Sequence, residues 1–139
     1  MYLFFRIPGR SDDSLAFAKR LVDAGACGLI VPDLPLEESD EIREACEQSE
    51  LAFVPLVAPT SPPERVDAAA AVAGSFLYYV SMTGVTGSAG VDLESAARRA
   101  ADVRARTQKP VAVGFGVRTP EQAAALAHHA DGVVVGSAI

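Results

Sequence analysis

The 139-residue sequence has no tryptophan and only two cysteines. Two cysteines are too few for the disulfide framework of a small secreted domain. No stretch reaches the roughly 18–20 uncharged apolar residues that a membrane helix needs, and the opening run MYLFF is too short for a secretory signal. These absences favour a soluble protein of the reducing cytoplasm.

Positive charge is also scarce. The chain has 12 lysines and arginines against 18 acidic residues, which gives a net charge of -6. Because the basic residues are scattered, no surface could neutralise a run of phosphates, and this argues against nucleic-acid binding. An anionic small molecule stays compatible with the sequence, since one phosphate needs only a local site.

The chain is rich in apolar residues, which make up 50% of it, and its length suits one core and a single domain over residues 1–139. Continuous apolar runs typical of buried strands alternate with helical patterns. The residues Thr119 to Gln122 predict a capping box at the start of one helix. After the short run MYLFF, the predicted strands begin at Gly28, Ala52, Phe76, Pro110 and Gly132.

One helix between each pair of strands requires parallel strands, because only a long crossover returns the chain in the same direction. Two architectures satisfy this rule: an open doubly wound sheet and the (β/α)8 barrel. The similar passages VDAGACGLIV and LAHHADGVVV suggest a repeated unit. A repeated unit favours the barrel.

Glycines gather where two neighbouring predicted strands end. Gly114, Phe115 and Gly116 end one strand, and Gly136 with Ser137 ends the next. Glycine lets the backbone approach an oxyanion and present its N–H groups, and ligands of both architectures bind beyond the carboxyl ends of the strands. Each glycine pair could merely form a tight turn, but pairs on adjacent strand ends favour a phosphate site.

Asp33 and a pair of consecutive tyrosines are weaker candidates for a site. Asp33 follows a strand, where a site carboxylate and a helix-initiating turn fit equally well. Tyr78 and Tyr79 are consecutive, so they point to opposite faces of their strand. The inward one either lines a site or fills the core.

The histidines and cysteines show no metal-ligand spacing, and no metal site is predicted. His128 and His129 end an alanine-rich helix and are expected on the surface, whereas Cys27 and Cys46 are expected to be small core residues. The chain also lacks a Walker sequence, a GxSxG elbow and a dinucleotide-binding fingerprint, which argues against nucleotide hydrolysis, serine hydrolysis and hydride transfer.

Five segments of the sequence carry a family resemblance: LIVPDLP with EES, LVAPTSP, YYVSMTGVTG, GFGV with TPEQ, and VGSAI. Together they resemble the tryptophan synthase alpha chain, a (β/α)8 enzyme, and they follow the family's order and spacing from about Asp12 to the end. The resemblance is highly specific, because the motifs SxxGVTG, GFG and GSA are rarely found together elsewhere.

The resemblance implies an incomplete (β/α)8 TIM barrel, running roughly from the end of strand 3 through strand 8. It implies a lyase of tryptophan biosynthesis, which cleaves indole-3-glycerol phosphate by a retro-aldol reaction to indole and glyceraldehyde 3-phosphate. The indole passes to a beta chain that carries pyridoxal phosphate, so the beta chain is the expected partner. No cofactor is expected in this chain itself.

The resemblance also assigns roles to residues at the strand ends. It implies phosphate binding by Gly87, Gly116, Gly136 and Ser137. It implies that the residues lining the substrate are Ile30, Tyr78, Thr86, Gly114, Phe115 and, more weakly, Tyr2, where only Met1-Tyr2 matches. Of these, Ile30 and Phe115 would contact the indole ring, and Thr86 would lie in a loop that closes over the substrate.

No catalytic residue is expected in this chain. The general acid and base of the family are a glutamate and an aspartate from the second strand and the loop after it, and both would precede residue 1. Retro-aldol cleavage needs proton transfers, so the isolated chain is expected to be inactive.

Two alternatives stay open. Another phosphate-binding barrel enzyme, such as an isomerase or a thiamine-phosphate synthase relative, would share the glycine-rich strand ends but would not explain the loop SMTGVTG. A non-catalytic truncated chain would only bind a partner, either the beta chain or a second copy of itself, through open strand edges.

Overall fold

The computed structural model of this chain describes residues 12–80, 93–114, 116–136 and 138–139. The predicted strand MYLFF lies outside them. The helices are α1 (Asp12–Asp23), α2 (Asp40–Gln48), α3 (Pro63–Val72), α4 (Leu93–Thr107) and α5 (Pro120–Ala127), with a 3₁₀ turn at Leu36–Glu38. The strands are β1 (Gly28–Leu29), β2 (Ala52–Phe53), β3 (Leu56–Val57), β4 (Leu77–Val80), β5 (Val111–Gly114) and β6 (Gly132–Val134).

The predicted alternation of strands and helices is confirmed. Strands begin at the predicted Gly28, Ala52 and Gly132, and one residue late at Leu77 and Val111. Every strand pair in the described segments is parallel. Parallel strands joined by helices are what both predicted architectures require.

The segment LAFVPLVAP departs from the prediction of one continuous strand. It forms two strands of two residues each, separated by Val54 and Pro55. β2 pairs with β1, and β3 pairs with β4 in a second sheet of order β3-β4-β5-β6. Proline has no N–H to donate to a ladder, so Pro55 lies where the pairing is interrupted.

The chain divides into two compact units. The first comprises Met1–Pro55 with Val72–Ser75, and the second Leu56–Ala71 with Phe76–Ile139. In the first unit, α1 and α2 are joined by a 2.6 Å hydrogen bond that the Ser14 hydroxyl donates to Glu41. The single domain over residues 1–139 stays a prediction. In the described segments, the structure contains no helix both long and apolar enough to cross a membrane.

The sheet of the second unit has two different faces. Leu77, Tyr79, Val111 and Val113 alternate onto one face and are at most 1% exposed. α4 packs against β5, and α5 packs against β6. The opposite face carries Tyr78 and other less completely buried residues. Period-two alternation therefore separates a dry, helix-covered side from a more accessible side.

Arginines of α4 connect this helix to its neighbours. Arg106 forms two hydrogen bonds of 2.7 and 2.6 Å with the carboxylate of Asp67 in α3, and these bonds lower the pKa of Asp67. Arg99 donates to the carbonyl of Pro59 at 2.9 Å. The two contacts hold α4 against α3 and against the loop that follows β3.

The two cysteines differ in environment. Cys46 is buried in the core of the first unit, as predicted, but Cys27 is exposed, so its prediction as a core residue is wrong. The reason is local: α1 ends in a turn with Gly25 at φ 86°, where the N–H of Ala26 bonds back to Leu21. Cys27 is the first residue after this cap and before β1.

We expect only Cys27 to react with a thiol reagent in the folded protein near pH 8. Burial raises the pKa of the Cys46 thiol to about 11, so Cys46 is neither accessible nor ionised there. Titration with a chromogenic disulfide should give one fast thiol, none after Cys27→Ser, and two in denaturant. Fast labelling of the Cys27→Ser variant would contradict this account.

The Cys46 thiol also makes stability depend on pH, because its pKa is higher in the folded protein than in the unfolded chain. Its contribution to the free energy of unfolding is lost as the pH rises from about 9 to about 11.

Asp131 is the main polar link at the start of β6. Its Oδ2 accepts from the N–H of Val111 at 2.9 Å, and its own N–H bonds to the carbonyl of Val111 at 2.9 Å. Its Oδ1 lies 2.9 Å from the guanidinium of Arg104. One aspartate thus fixes β6 to β5 and to α4.

Asp131→Ala should lower the free energy of unfolding by about 1–3 kcal/mol, because it leaves the N–H of the fully buried Val111 without its side-chain acceptor. Asp131→Asn keeps an acceptor oxygen and should cost less. The control Arg98→Ala removes an exposed ion pair with Glu94 and should change stability by no more than about 0.5 kcal/mol. Urea denaturation measures all three. Equal stability of Asp131→Ala and Arg98→Ala would show that the link contributes nothing.

Candidate functional site

The carboxyl ends of β4, β5 and β6 meet at one edge of the four-stranded sheet. In the register, Val80 pairs with Gly114, and Gly114 pairs with Val134. Gly116 and Gly136 therefore each lie two residues beyond the same pair. The parallel register places these two predicted phosphate-binding glycines on neighbouring loops at the same edge.

Each of these glycines occupies a position that suits a backbone anion site. Gly116 has φ 79°, a conformation that side-chain-bearing residues rarely adopt. The next residue, Val117, is 4% exposed and anchors the loop. Apart from its two chain neighbours, no described residue has a heavy atom within 4 Å of the position where a Cβ of Gly136 would stand. The backbone at Gly136 is therefore open to an approaching group.

The loop after β5 enters α5 through the predicted capping box, which the structure confirms. Thr119 Oγ1 accepts from the N–H of Gln122 at 3.3 Å, and Gln122 Oε1 accepts from the N–H of Thr119 at 3.2 Å. The same Oε1 also accepts from the N–H of Arg118 at 2.7 Å. Two side chains thus fix the backbone between Gly116 and the helix.

Tyr78 extends across Gly114 on the accessible face of the sheet. A Cβ built on Gly114 would overlap the phenol oxygen and lie 2.5 Å from Cζ of Tyr78. Burial raises the pKa of Tyr78, so its hydroxyl is protonated at neutral pH. This contact was not predicted from sequence; the signal would have been a tyrosine paired diagonally with a glycine in the next strand.

Tyr79 points to the other face and belongs to the core. It is 1% exposed, and its hydroxyl has no hydrogen-bond partner within the described residues. Burial raises its pKa, and the charges of Arg99 and Asp102 in α4 act on it as well. The two consecutive tyrosines therefore lie on opposite faces of the sheet, as predicted. Tyr79 fills the core, whereas Tyr78 faces the more accessible side.

The other residues that the sequence singled out lie in the first unit, after α5 or outside the described part of the chain. Ile30 follows β1 in the first unit and is half-buried, and Asp33 is exposed in the turn after it. The exposed His128 and His129 follow α5. Five predicted residues lie outside the described part of the chain: Tyr2, Thr86, Gly87, Phe115 and Ser137.

One groove elsewhere was not predicted. It has a volume of about 420 Å³ and lies between α1 and α2, where Ser14, Lys19, Glu41 and Gln48 are among its lining residues. It includes none of the predicted site residues. Among the residues that the structure describes, no group of three or more histidine, cysteine, aspartate or glutamate side chains is placed to hold a metal ion.

Comparison with known proteins gives one consistent result. The sequence model of the tryptophan synthase alpha chain family matches residues 6–139. The alpha chain of Desulfosudis oleivorans is 49% identical over 122 residues, which are 88% of this chain and 46% of the relative. That of Gloeobacter violaceus is 52% identical over 124 residues, 88% of this chain and 45% of the relative.

Comparison with solved structures gives the same family. A structure of the tryptophan synthase α2β2 complex from Pyrococcus furiosus matches with a TM-score of 0.77 and 33% identity, covering 90% of this chain and 51% of that one. The chain spans about half the length of the relatives it matches.

The parallel strands, the crossover helices and these structural matches define the chain as part of a (β/α)8-barrel protein. The predicted fold class, an incomplete TIM barrel, is confirmed. Its extent, from roughly the end of strand 3 through strand 8, stays a prediction. Within that class, the chain belongs to the tryptophan synthase alpha chain family.

Gly114→Ala should destabilise the protein by about 1–3 kcal/mol, because the added methyl group collides with the phenol of Tyr78. Tyr78→Val removes the ring, so the double variant should lose clearly less stability than the sum of the single changes. Gly132→Ala is the matched control, since its Cβ would meet Ala112 at an ordinary 3.4 Å. Urea denaturation of the four variants measures the coupling. Additive effects of Gly114→Ala and Tyr78→Val would contradict the proposed collision.

Proposed function

We propose that this chain forms the phosphate-binding part of a barrel that cleaves indole-3-glycerol phosphate to indole and glyceraldehyde 3-phosphate in cytoplasmic tryptophan biosynthesis. The observation that carries the proposal is the equivalent placement of Gly116 and Gly136 beyond the pair Gly114 and Val134, in a chain of the tryptophan synthase alpha chain family.

The proposed site binds the substrate at two ends. The phosphate would accept hydrogen bonds from backbone N–H groups of the loops that begin at Gly116 and Gly136, where glycine adds no side chain of its own. Gly87 and Ser137 complete this set by resemblance. The indole would lie along the accessible face of the sheet, beside Tyr78. Two fixed ends would orient the bond between the indole ring and the glycerol chain.

The reaction also needs proton transfer. One proton must reach the indole carbon as its bond to the glycerol chain breaks, and another must leave the glycerol hydroxyl that becomes the aldehyde. The resemblance assigns both transfers to two carboxylates of the family's second strand and the loop after it. We therefore propose that the residues of this chain bind and orient the substrate but do not exchange protons with it.

The proposed partner is a tryptophan synthase beta chain. The Pyrococcus furiosus structure is described as an α2β2 complex, and the indole released at this site would be the substrate that the beta chain consumes. The pyridoxal phosphate of that second reaction would belong to the beta chain. An unrelated phosphate-binding barrel enzyme is disfavoured, because the family match extends over residues 6–139.

The test is calorimetric titration of the chain with sn-glycerol 3-phosphate, together with an assay of indole release from indole-3-glycerol phosphate. We expect binding without indole release by the chain alone, and indole release after addition of a fragment that carries the first three strands of a related alpha chain. Gly136→Val should weaken glycerol phosphate binding at least about tenfold, because its side chain enters open space at the site rather than the core.

Gly132→Ala, at the amino end of the same strand, is the control and should bind as the parent chain does. Failure of the parent chain to bind glycerol phosphate would overturn the proposed site, and so would unchanged binding by Gly136→Val. Appreciable indole release by the chain alone would overturn the division of roles between its residues and the two carboxylates.

A further inference from the structure

Arg118 is a cation beside the proposed phosphate site, and it has no side-chain partner among the described residues. It follows Gly116 and Val117 in the loop between β5 and α5, and it is exposed. Its main-chain N–H is bound by Gln122 Oε1 at 2.7 Å. Within the described segments, its guanidinium group has no ion pair or hydrogen bond.

The arginines of α4 are different, because each has a fixed partner. Arg99 donates to a carbonyl, and the others pair with carboxylates. The partners of Arg98, Arg99, Arg104 and Arg106 are Glu94, Pro59, Asp131 and Asp67, respectively. Three of these arginines connect α4 to other elements and Arg98 pairs within the helix, whereas the guanidinium of Arg118 has no partner among the described residues.

The first turn of α5 does not offer much positive potential of its own. Interaction with its own backbone N–H and with the Thr119 hydroxyl lowers the pKa of Glu121. Glu121 is therefore ionised at neutral pH, and its negative charge offsets the positive potential of the helix N-terminus. A phosphate bound near Gly116 would meet this charge unless a cation offset it.

Arg118 is suitably placed to provide that cation. Its Cα is two residues from that of Gly116, a separation of at most about 7.6 Å, which a long, flexible arginine side chain can span. No other basic residue occurs in the described loop residues that follow β5 and β6, and the sequence from Ser81 to Asp92 contains none.

We infer that the Arg118 guanidinium binds the phosphate group of the substrate held at Gly116 and Gly136, and supplies the positive charge that backbone N–H groups alone do not. A guanidinium group presents paired donors that match phosphate oxygens. This inference rests on the proposed function, since it assigns a further residue to the same phosphate site.

The test compares binding of sn-glycerol 3-phosphate by the parent chain, Arg118→Gln, Arg118→Lys and Arg43→Gln, measured by calorimetry. Arg118→Gln should weaken binding about five- to tenfold at low salt, and Arg118→Lys should weaken it less because the charge is kept. Arg43→Gln makes the same change in net charge on α2 of the first unit, so it should bind within about twofold of the parent.

Salt dependence is the second readout, and a purely structural role of Arg118 would not change it. Raising the ionic strength from about 20 to about 300 mM should weaken binding by the parent chain more steeply than binding by Arg118→Gln. Urea denaturation of each variant checks that its fold is intact.

The outcomes separate the two claims. If the parent chain binds and Arg118→Gln has the same affinity and salt dependence, this inference is wrong while the proposed function stands. An equal loss in Arg118→Gln and Arg43→Gln would show a general effect of net charge and would also overturn it. If the parent chain does not bind glycerol phosphate, the inference and the proposed function fail together.

Discussion

The parallel register of β4, β5 and β6 is the constraint on which the rest of the structure depends. It pairs Val80 with Gly114 and Gly114 with Val134, so that the carboxyl ends of the three strands lie level at one edge of the sheet. A register shift by one residue would move every side chain to the opposite face. Tyr79 would then leave the core, and Tyr78 would no longer cross Gly114. The relative placement of Gly116 and Gly136 follows from hydrogen bonds within the sheet.

Side-chain contacts hold the segments at both ends of the strands. At the amino end, Asp131 binds Val111 and Arg104; at the carboxyl end, the capping box of Thr119 and Gln122 holds the loop after β5. Neither contact involves the glycines of the proposed site. Side chains next to the glycines therefore make the site rigid, and the glycines themselves add no side chain to it, which is the arrangement that an anion site needs.

Much of the fold could be predicted from the sequence, because its signals are local. Continuous apolar runs, a proline at the first turn of α5 and the spacing of Thr119 and Gln122 each depend on a few neighbouring residues. The glycine pairs could be placed at one edge because parallel strands share a direction. The exposure of Cys27 was missed because it depends on where the cap of α1 ends, and the interruption at Pro55 was missed because the apolar run continues through it.

The contacts that could not be predicted join residues far apart in the sequence. Nothing near Gly114 indicates that the ring of Tyr78 lies over it. Nothing near Arg118 shows that its guanidinium has no partner among the described residues while the arginines of α4 are engaged. Such facts depend on packing between strands and helices. The roles of Thr86, Gly87, Phe115 and Ser137 stay predictions that the resemblance implies, since these residues lie outside the described part of the chain.

The most direct test of the account is an NMR titration of the ¹⁵N-labelled chain with sn-glycerol 3-phosphate. The account predicts that the backbone amides of Gly116 and Gly136 shift together, with one common dissociation constant, while amides at the amino ends of β5 and β6 change little. Saturable shifts confined to the groove between α1 and α2, with Gly116 and Gly136 unmoved, would contradict it.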